Sequence, residues 1–381
     1  MFDFPSSPSV GAVYTSGGVS YAWDGQAWNG GPSVSTDTSA AMLAQLSARE
    51  NILYNADFSI SQKAGYALVN THGAYFADGW VLTCVPATNA AAKVNGRQIS
   101  SGPLQKGRFR AQYTCATAKT TLAATDYVAL VHHIEGIDLS PLSWGLAGGV
   151  PAVVRFGFKG PAGTYSVGLF DDTATNYWTA PFTITAGQAN QDTIQVFAIP
   201  PPPATGQWTT SNVKAATLRF GFAAGSTFTG AMTVGGAWGS SNFVMPTGGF
   251  NFLSSTANVV EIFDVKLVGD PDNLRVDPGF APVDNATELQ RCQRYYQSSI
   301  RCTAVGYMGA AGAALSWPMG LPVAMRTVGV STLRAAGTYA NASAATFGAN
   351  DVASATFTIT VTGVGGGGAY NWIYDLDAQL T

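Results

Sequence analysis

The sequence predicts an all-β protein built around an antiparallel β-sandwich of jelly-roll type, over residues 51–283. Short alternating runs, such as those at 153–158 and 217–222, are separated by clusters of Gly, Pro, Asn and Asp. No helical period separates them, and strands at this spacing are typical of antiparallel sandwiches. A Gly- and Ala-rich segment over 297–381 carries further strand patterns, and predicts a second, small C-terminal β domain.

Residues 1–34 predict a small N-terminal β meander. Strand-like runs end at a Gly-rich turn and at Asp-Gly, a sequence that favours a two-residue hairpin. Three short strands cannot bury their own aromatic residues, so these residues fold back on the chain or dock on another surface. Because the segment is terminal and is followed by Gly-Gly-Pro, we favour docking on a larger particle. The docking residues are then Tyr14, Tyr21, Trp23 and Trp28.

Residues 35–50 predict a short helix that sets the register between copies of the chain. Asp37 can cap it, and Met42, Leu46 and Leu53 follow at heptad-like steps. This seam is too short for a stable coiled coil. It therefore predicts an oligomerisation contact between chains that are held together elsewhere.

Residues 284–296 predict a linker helix between the two β domains. Asn285 and Glu288 have the spacing of a capping box, and Leu289, Cys292 and Tyr296 fall on one face. A helix this short must pack on a neighbouring domain.

The C-terminal domain is predicted to end in a hairpin. Strand patterns at 355–361 and 369–375 are joined across the glycines of 363–368. Strand alternation places Tyr370, Trp372 and Tyr374 on one face, which indicates a core. Loops at 341–350 and 363–368 are predicted to carry receptor specificity, because loops on a rigid sandwich can vary without changing its core.

Five segments in fixed order resemble landmarks of a known family. They are Asn-Ile-Leu-Tyr-Asn-Ala-Asp-Phe-Ser-Ile-Ser-Gln-Lys at 51–63, Tyr-Phe-Ala-Asp-Gly-Trp at 75–80, the strand at 259–267, the segment 280–296 with Glu-Leu-x-x-Cys-Gln-Arg-Tyr-Tyr, and 318–326. Together they are similar to structural and receptor-binding proteins of tailed-bacteriophage virions. The resemblance implies a jelly roll linked to a small C-terminal β domain, a trimeric fibre or spike, and a location on the virion after folding in the bacterial cytoplasm.

The composition of the chain limits the kinds of partner that it is expected to bind. Charged residues make up 11% of the chain, against about 25% in an ordinary soluble domain. A surface so poor in charge favours association, which predicts a homo-oligomer. The net charge of -3 provides no basic field, so a nucleic-acid partner is not expected. We also expect no membrane insertion, because no apolar run approaches about 18 residues.

The sequence predicts neither a cofactor nor a metal. Cys84, Cys115, Cys292 and Cys302 lack C-x-x-C spacing, which favours free buried thiols over disulfides, zinc or redox chemistry. The adjacent His132 and His133 lie in a predicted strand and point to opposite faces, so they do not chelate one ion. Oxygen ligands within 270–277 would suit calcium, but an Asx-rich turn accounts for them better.

Aromatic and acidic residues near predicted loops are candidates for carbohydrate binding. Flat aromatic faces stack on the C–H faces of sugars, and nearby carboxylates or amides fix hydroxyl groups. The alternative for each aromatic residue is packing in the core or between subunits. The candidates are Trp144, Asp171, Asp172, Tyr177, Trp178 and Trp208.

We therefore predict a non-enzymatic virion fibre or spike protein. It attaches to other virion proteins through residues 1–34 and binds host surface polysaccharide. No serine-hydrolase, zinc-protease or P-loop motif occurs, and the 22 acidic residues show no distinctive pair. Two alternatives remain: a polysaccharide-degrading spike enzyme, and a purely architectural collar, baseplate or head-decoration protein.

Overall fold

The computed structural model describes residues 13–16, 19–23, 28–30, 45–46, 49–85, 94–100, 102–146, 148–206 and 208–380. The chain divides into a unit of residues 1–49 and a compact unit of residues 50–381. The predicted fold class is confirmed, since the described residues form mainly antiparallel β-sheets.

The first unit contains a three-stranded meander of β1 (Val13–Ser16), β2 (Val19–Trp23) and β3 (Trp28–Gly30). The register pairs Tyr14 with Tyr21 and Trp23 with Trp28. The predicted meander is confirmed. The turn predicted at Asp-Gly lies outside the described residues, which include the paired Trp23 and Trp28 on either side of it.

The predicted seam of Met42, Leu46 and Leu53 is wrong at its last member. Leu53 is fully buried in the core of the sandwich, so it cannot contact another chain. Leu46 lies in the helical pair 45–46 and is buried, while Met42 lies outside the described residues. The use of residues 35–50 as an oligomerisation segment stays a prediction.

The second unit begins with a two-sheet sandwich. One sheet has the strand order β15-β11-β10-β13-β8-β5-β4, and the other the order β12-β9-β17-β7-β6. Neighbouring strands within both sheets are antiparallel. A short parallel pair, β14 with β16, lies outside them. In chain order the strands are β4 (Tyr75–Ala77), β5 (Trp80–Val85), β6 (Val94–Ser100), β7 (Phe109–Cys115), β8 (Tyr127–Glu135), β9 (Ala152–Lys159), β10 (Gly163–Asp171), β11 (Tyr177–Ile184), β12 (Thr193–Ile199), β13 (Lys214–Ala224), β14 (Thr229–Gly230), β15 (Ala237–Gly239), β16 (Met245–Pro246) and β17 (Val259–Gly269).

Short helical turns punctuate the sandwich. Helix α1 (Gly136–Leu139) follows β8 directly. Single 3₁₀ turns occur at Ser140–Leu142, Ala186–Gln188, Ser226–Phe228 and Phe252–Ser254.

Aromatic rings from both sheets fill the sandwich core. Strand alternation directs Phe156 of β9 and Phe220 of β13 inward, where their ring centroids lie 4.8 Å apart at 70°. Trp80 of β5 is fully buried beside them. Full burial of such a side chain contributes about 1.5–3 kcal/mol to stability.

Each sheet carries a buried arginine whose partners lie elsewhere in the chain. On the five-stranded sheet, the Arg110 guanidinium bonds Asp192 and Glu261, at 2.9 Å each, and stacks 4.3 Å from the Phe263 ring centroid. On the seven-stranded sheet, Arg219 donates to Asn242 Oδ1 (2.8 Å) and to the Phe243 carbonyl (2.9 Å). Burial lowers the pKa of Arg219 to about 10.

Helix α2 (Asn285–Gln293) joins the sandwich to the C-terminal strands. The predicted capping box is wrong: the N-cap is Asp284, whose carboxylate accepts from the Ala286 and Thr287 N–H groups at 3.1 Å each. Glu288 is instead buried and accepts from the Asn55 N–H. The helix is thereby tied to the first loop of the sandwich.

Residues that are far apart in the sequence hold the large sandwich against the C-terminal region, and we call this region of contact the joint. The Tyr54 and Tyr295 rings stack with centroids 4.3 Å apart. The Tyr75 hydroxyl donates to the Leu380 carbonyl (2.9 Å), and Lys63 Nζ lies 2.6 Å from Asp377 Oδ2. The two β regions have separate cores but belong to one compact unit.

The C-terminal region is a small sandwich of two sheets. One has the order β18-β24-β20, with β21 also paired to β24, and the other has the order β19-β23-β22. The predicted terminal hairpin is wrong, because β23 and β24 lie in different sheets. The strands are β18 (Tyr296–Met308), β19 (Ala314–Gly320), β20 (Val330–Ala335), β21 (Thr338–Ala340), β22 (Ala342–Ala349), β23 (Ser354–Val361) and β24 (Gly365–Asp377).

The predicted common face of Tyr370, Trp372 and Tyr374 is interrupted by a bulge. Trp372 and Tyr374 are buried, but Tyr370 is 36% exposed. The register of β18 with β24 shifts here, and Asn371 has a φ of 60°, so the alternation reverses. The expected loops are also largely strand, because 342–349 is β22 and 365–368 begins β24.

Candidate functional site

Three tryptophans from separate segments meet at one edge of the large sandwich. Trp144 follows α1 and its 3₁₀ turn, Trp208 follows the proline run at 200–203, and Trp238 lies in β15. Their centroids are 5.2 Å (144–208), 6.0 Å (144–238) and 5.6 Å (208–238) apart, with interplanar angles of 83°, 90° and 86°. Edge-to-face packing of this kind is favourable beyond simple burial. We call these residues the tryptophan cluster.

Hydrogen bonds and one glycine hold the cluster in place. Trp144 Nε1 donates to the Val150 carbonyl (2.7 Å), and Trp238 Nε1 to the Pro200 carbonyl (2.8 Å). Trp208 Nε1 is buried and has no partner among the described residues. Gly145 has a φ of 81°, and a Cβ there would lie 2.8 Å from Trp208 Cδ1. A side chain at this position would therefore displace the Trp208 ring.

A cavity of about 330 Å³ opens beside Trp144 and Trp208. Trp144 itself is 4% exposed, whereas Trp208 is only partly buried. Both aromatic rings and hydroxyl-bearing side chains line this cavity. Its lining comprises Leu139, Ser140, Ser143, Trp144, Gly145, Leu146, Gly206, Trp208, Thr209 and Thr210.

A larger groove of about 710 Å³ is lined by the second half of β12, by the prolines after it and by residues 234–236, which directly precede β15. Pro200 lines the groove, and its carbonyl accepts from Trp238 Nε1, while the Trp238 ring packs against the two tryptophans of the cavity. Phe197 and several prolines form one apolar side, and Arg275 and Asn273 lie at another. We call this space the edge groove.

Gly236 lines the edge groove and lies directly against Trp178 of the core. A Cβ on Gly236 would lie 2.4 Å from Trp178 Cζ2, so only glycine fits here without movement. Trp178 is fully buried, and its Nε1 has no partner among the described residues. Trp178 supports the groove from below and does not contact a ligand, so its prediction as a sugar-stacking residue is wrong.

The structure brings together only part of the predicted sugar-binding set. Trp144 and Trp208 share a cavity. Asp171 is fully buried and accepts from the Thr175 N–H (2.7 Å), so its predicted contact with sugar is wrong. Asp172 is exposed beside Lys214 (3.2 Å), and Tyr177 is buried 5.3 Å from the Phe170 ring. Neither lines the cavity or the groove.

Sequence reasoning missed Trp238, Asn273 and Arg275. A tryptophan two residues after Gly235-Gly236 was a usable signal, because glycines often mark close approach of the backbone. The segment with Asn273 was considered only as a cation site. Its Asp270 carboxylate instead accepts from the Leu274 and Arg275 N–H groups, at 3.0 and 2.8 Å.

Other side chains fulfil the predicted structural roles. All four cysteines are buried and none of them forms a disulfide, as predicted. His132 bonds the Tyr54 carbonyl, and His133 bonds the Thr217 hydroxyl, so the two imidazoles diverge as expected. Burial lowers the pKa of His132 to about 3. Among the described residues, no group of three or more His, Cys, Asp or Glu residues could hold a metal ion, and no helix is long and apolar enough to cross a membrane.

The sequence matches no protein-family model and no curated protein. Among solved structures, the enzymatically active domain of tailspike protein 4 of bacteriophage CBA120 is similar at 12% identity and a TM-score of 0.30. This match covers 58% of this chain and 21% of the tailspike chain. The carbohydrate-binding module TmCBM61, solved with β-1,4-galactotriose, is similar at 12% identity and a TM-score of 0.28 over 58% of this chain and 100% of the module.

The family 11 carbohydrate-binding module of a Clostridium thermocellum cellulase is also similar. It matches at 12% identity and a TM-score of 0.26, over 56% of this chain and 96% of the module. At these TM-scores, none of the similarities carries an argument about function.

Proposed function

We propose that this chain is a non-enzymatic, glycan-binding component of a virion. It forms a homo-oligomer, attaches to the particle through residues 1–34 and binds host surface polysaccharide. The observation that carries the binding function is the tryptophan cluster beside a hydroxyl-lined cavity. Trp144 and Trp208 line this cavity, and Trp238 packs against both.

The chemistry of the cavity suits a sugar. A pyranose presents an apolar C–H face, which stacks on an aromatic ring, and a rim of hydroxyls, which need donors and acceptors. Trp208 provides partly exposed aromatic surface, and Ser143, Thr209 and Thr210 provide hydroxyls. The volume of about 330 Å³ lies at the lower end of the range for small-ligand pockets, about 300–1,000 Å³.

A shallow, polar-rimmed cavity of this size gives weak binding at each site. Repetition of the site around an oligomer and around a particle raises the effective concentration of the second contact. The proposed mechanism of host attachment is therefore many weak, identical contacts. In this arrangement the C-terminal β domain faces the host and carries further contacts.

The virion part of the proposal is supported by the sequence landmarks between residues 51 and 326 and by the N-terminal meander. Residues 1–49 form a unit of their own, which suits an anchor that docks on another protein. Immunogold labelling of intact particles with an antibody against residues 50–381 tests it. Labelling at a collar, at the baseplate or on the head surface, with no effect of the antibody on adsorption, would favour the architectural alternative.

The binding function is tested by Trp208→Ala in the full chain. Isothermal titration with polysaccharide extracted from a susceptible host should show binding by wild type and a loss of roughly two- to tenfold in the variant, because an aromatic stacking contact contributes about 0.5–1.5 kcal/mol. Trp317→Ala removes a partly buried tryptophan from the C-terminal sandwich and serves as the control. Equal losses in the two variants, or none in Trp208→Ala, would contradict the proposed site.

The non-enzymatic part has its own test. The carboxylates most suggestive of catalysis are Glu135 and Asp138, which both contact the Tyr295 hydroxyl, at 2.7 and 3.4 Å. Burial and the neighbouring Glu135 raise the pKa of Asp138 to about 6. Glu135, however, is 1% exposed and bonded to Arg294, which closes it to substrate. Incubation with the same polysaccharide should release no oligosaccharide; release would favour the enzyme alternative.

A further inference from the structure

We propose that the edge groove selects polysaccharides whose sugars carry carboxylate groups, with Arg275 as the residue that recognises the anion. This inference rests on the proposed glycan-binding function and names the chemical class of its ligand. The groove and the sugar cavity are linked through the Trp238–Pro200 hydrogen bond, because Pro200 lines the groove and Trp238 packs against the two tryptophans of the cavity.

The groove holds a cation in apolar surroundings. Its lining is Pro151, Pro181, Val196, Phe197, Ala198, Ile199, Pro200, Pro201, Val234, Gly235, Gly236, Asn273 and Arg275. Arg275 is the single charged residue of that lining, and no carboxylate of the described residues forms an ion pair with it. A ligand that is apolar along its face and negative at one point complements this surface.

The Arg275 guanidinium is held in position by its own turn. Asn273 and Arg275 both adopt left-handed backbone conformations, with φ values of 51° and 57°. The buried Asp270 carboxylate fixes this turn through the Arg275 N–H, and Asn273 Oδ1 accepts from Arg275 Nε at 2.9 Å. A bond at Nε leaves the two terminal nitrogens for an incoming anion. Their fork matches the two oxygens of a carboxylate.

Carboxylate sugars fit better than neutral ones for an electrostatic reason. A neutral glycan filling this groove would partly desolvate the guanidinium without supplying a counter-charge, and that is unfavourable. A uronic acid replaces the lost water with two charge-assisted hydrogen bonds. The same groove therefore attracts the acidic form of a sugar and disfavours its neutral ester.

The experiment uses the full chain and two matched pairs of probes: trigalacturonic acid with its methyl ester, and a hyaluronan tetrasaccharide with its methyl ester. Affinity is measured by titration for wild type, Arg275→Gln and Arg301→Gln. The last variant removes an exposed arginine on β18 and is the control. We expect wild type to bind at least one acid about tenfold more tightly than its ester, and Arg275→Gln to abolish that preference. Arg301→Gln should retain it.

Each other outcome is decisive. Equal affinity for acid and ester, an acid preference that survives in Arg275→Gln, or failure of wild type to bind either acid overturns the proposal. If wild type still binds host polysaccharide through Trp208 in any of those cases, the proposed function stands and only the acidic class is lost. If the acid preference depends on Arg275 while Trp208→Ala binds normally, carboxylate recognition by the groove is supported. Sugar binding in the cavity is then contradicted. Matching far-ultraviolet circular dichroism and Tm values exclude misfolding.

Discussion

Arg294 donates two hydrogen bonds to the carboxylate of Glu135, from Nε at 3.0 Å and from Nη2 at 2.7 Å. This forked pair connects the end of β8 to the residue after α2, and the Tyr295 hydroxyl adds a third bond to the same carboxylate. Three donors on one buried carboxylate make it the polar centre of the joint. Removing the charge of Glu135 should therefore destabilise both β regions together.

Glu135→Gln is expected to lower the free energy of unfolding by about 2–4 kcal/mol. The amide cannot accept from all three donors, and an Arg–carboxylate pair with one partner removed leaves an uncompensated charge. Urea denaturation measures the change. Arg334→Gln, which breaks the more exposed pair with Asp375, should cost less than about 1 kcal/mol. A similar cost for both variants would contradict a special role for the joint.

Gly145→Ala should impair both stability and glycan binding, whereas Gly148→Ala should impair only stability. Both glycines have positive φ, 81° and 88°, so alanine is strained at each by about 1 kcal/mol. Only at Gly145 does the added Cβ meet Trp208. Tryptophan fluorescence should shift in Gly145→Ala alone. Identical spectra and affinities for the two variants would show that the cluster does not depend on this glycine.

Asp78→Asn should change the pH dependence of stability. Burial raises the pKa of Asp78 to about 6, and its carboxylate accepts from the Gln62 side chain and N–H. The folded state then holds a proton that the unfolded chain has lost. The contribution of Asp78 to stability is therefore full below about pH 4 and is lost as the pH rises through about 6.

Urea unfolding at pH 4, 5, 6 and 7 checks this sign. Wild type should lose stability relative to Asp78→Asn as the pH rises, by roughly 3 kcal/mol in all. Asp351→Asn gives the opposite trend, because bonds from the Ala353 N–H and the Ser354 hydroxyl lower the pKa of Asp351. A difference between wild type and Asp78→Asn that does not vary with pH would refute the assignment.

Alanine substitutions in β24 should cost more stability at the two buried aromatic residues than at the exposed aromatic residue of the bulge. Trp372→Ala and Tyr374→Ala should each cost about 3–5 kcal/mol, because both rings are buried in the small core. Tyr370→Ala should cost less than about 1 kcal/mol, since its ring lies over Gly368 at the surface. Melting temperatures of the three variants give the order directly.

The purified chain is expected to be an oligomer, because its charge content is low and its exposed side chains include Val305, Tyr307 and Val330. Light scattering at micromolar concentration should exceed the 39.5 kDa of one chain. Removing residues 1–34 should leave the oligomer folded and abolish its incorporation into particles. A monomeric mass would falsify the first expectation, and particles carrying the truncated protein would contradict the second.

The sequence predicted most of what depends on local patterns. The sandwich, the meander and the divergent His132 and His133 follow from strand alternation, which sequence spacing shows directly. The capping residue was misassigned by one position, from Asp284 to Asn285, because either side chain can cap and only the backbone angles decide.

What depended on long-range packing was not predictable in the same way. The bulge at Asn371 reverses the side chains of β24, and nothing in the alternating pattern before it announces the change. Trp178 and Trp208 look alike as loop-flanking aromatics. Trp178 lies in the core and Trp208 at a cavity, and the glycines that they contact, Gly236 and Gly145, are about 60 residues away in the sequence. The edge groove could not be predicted from the sequence, because its lining comes from segments that are far apart along the chain, such as 196–201, 234–236 and 273–275.

The joint described above also bears on how fast this unit can fold. Lys63 meets Asp377 across 314 residues, and Tyr75 meets Leu380 across 305. Closing loops of that length is entropically costly before any contact rewards it, and chains dominated by such non-local pairings fold slowly. We therefore expect the joint to close late, after the chain between its two sides has formed its sheets. Before it closes, the apolar surfaces around Tyr54 and Tyr295 would be open to solvent and to other chains, and such exposure favours aggregation.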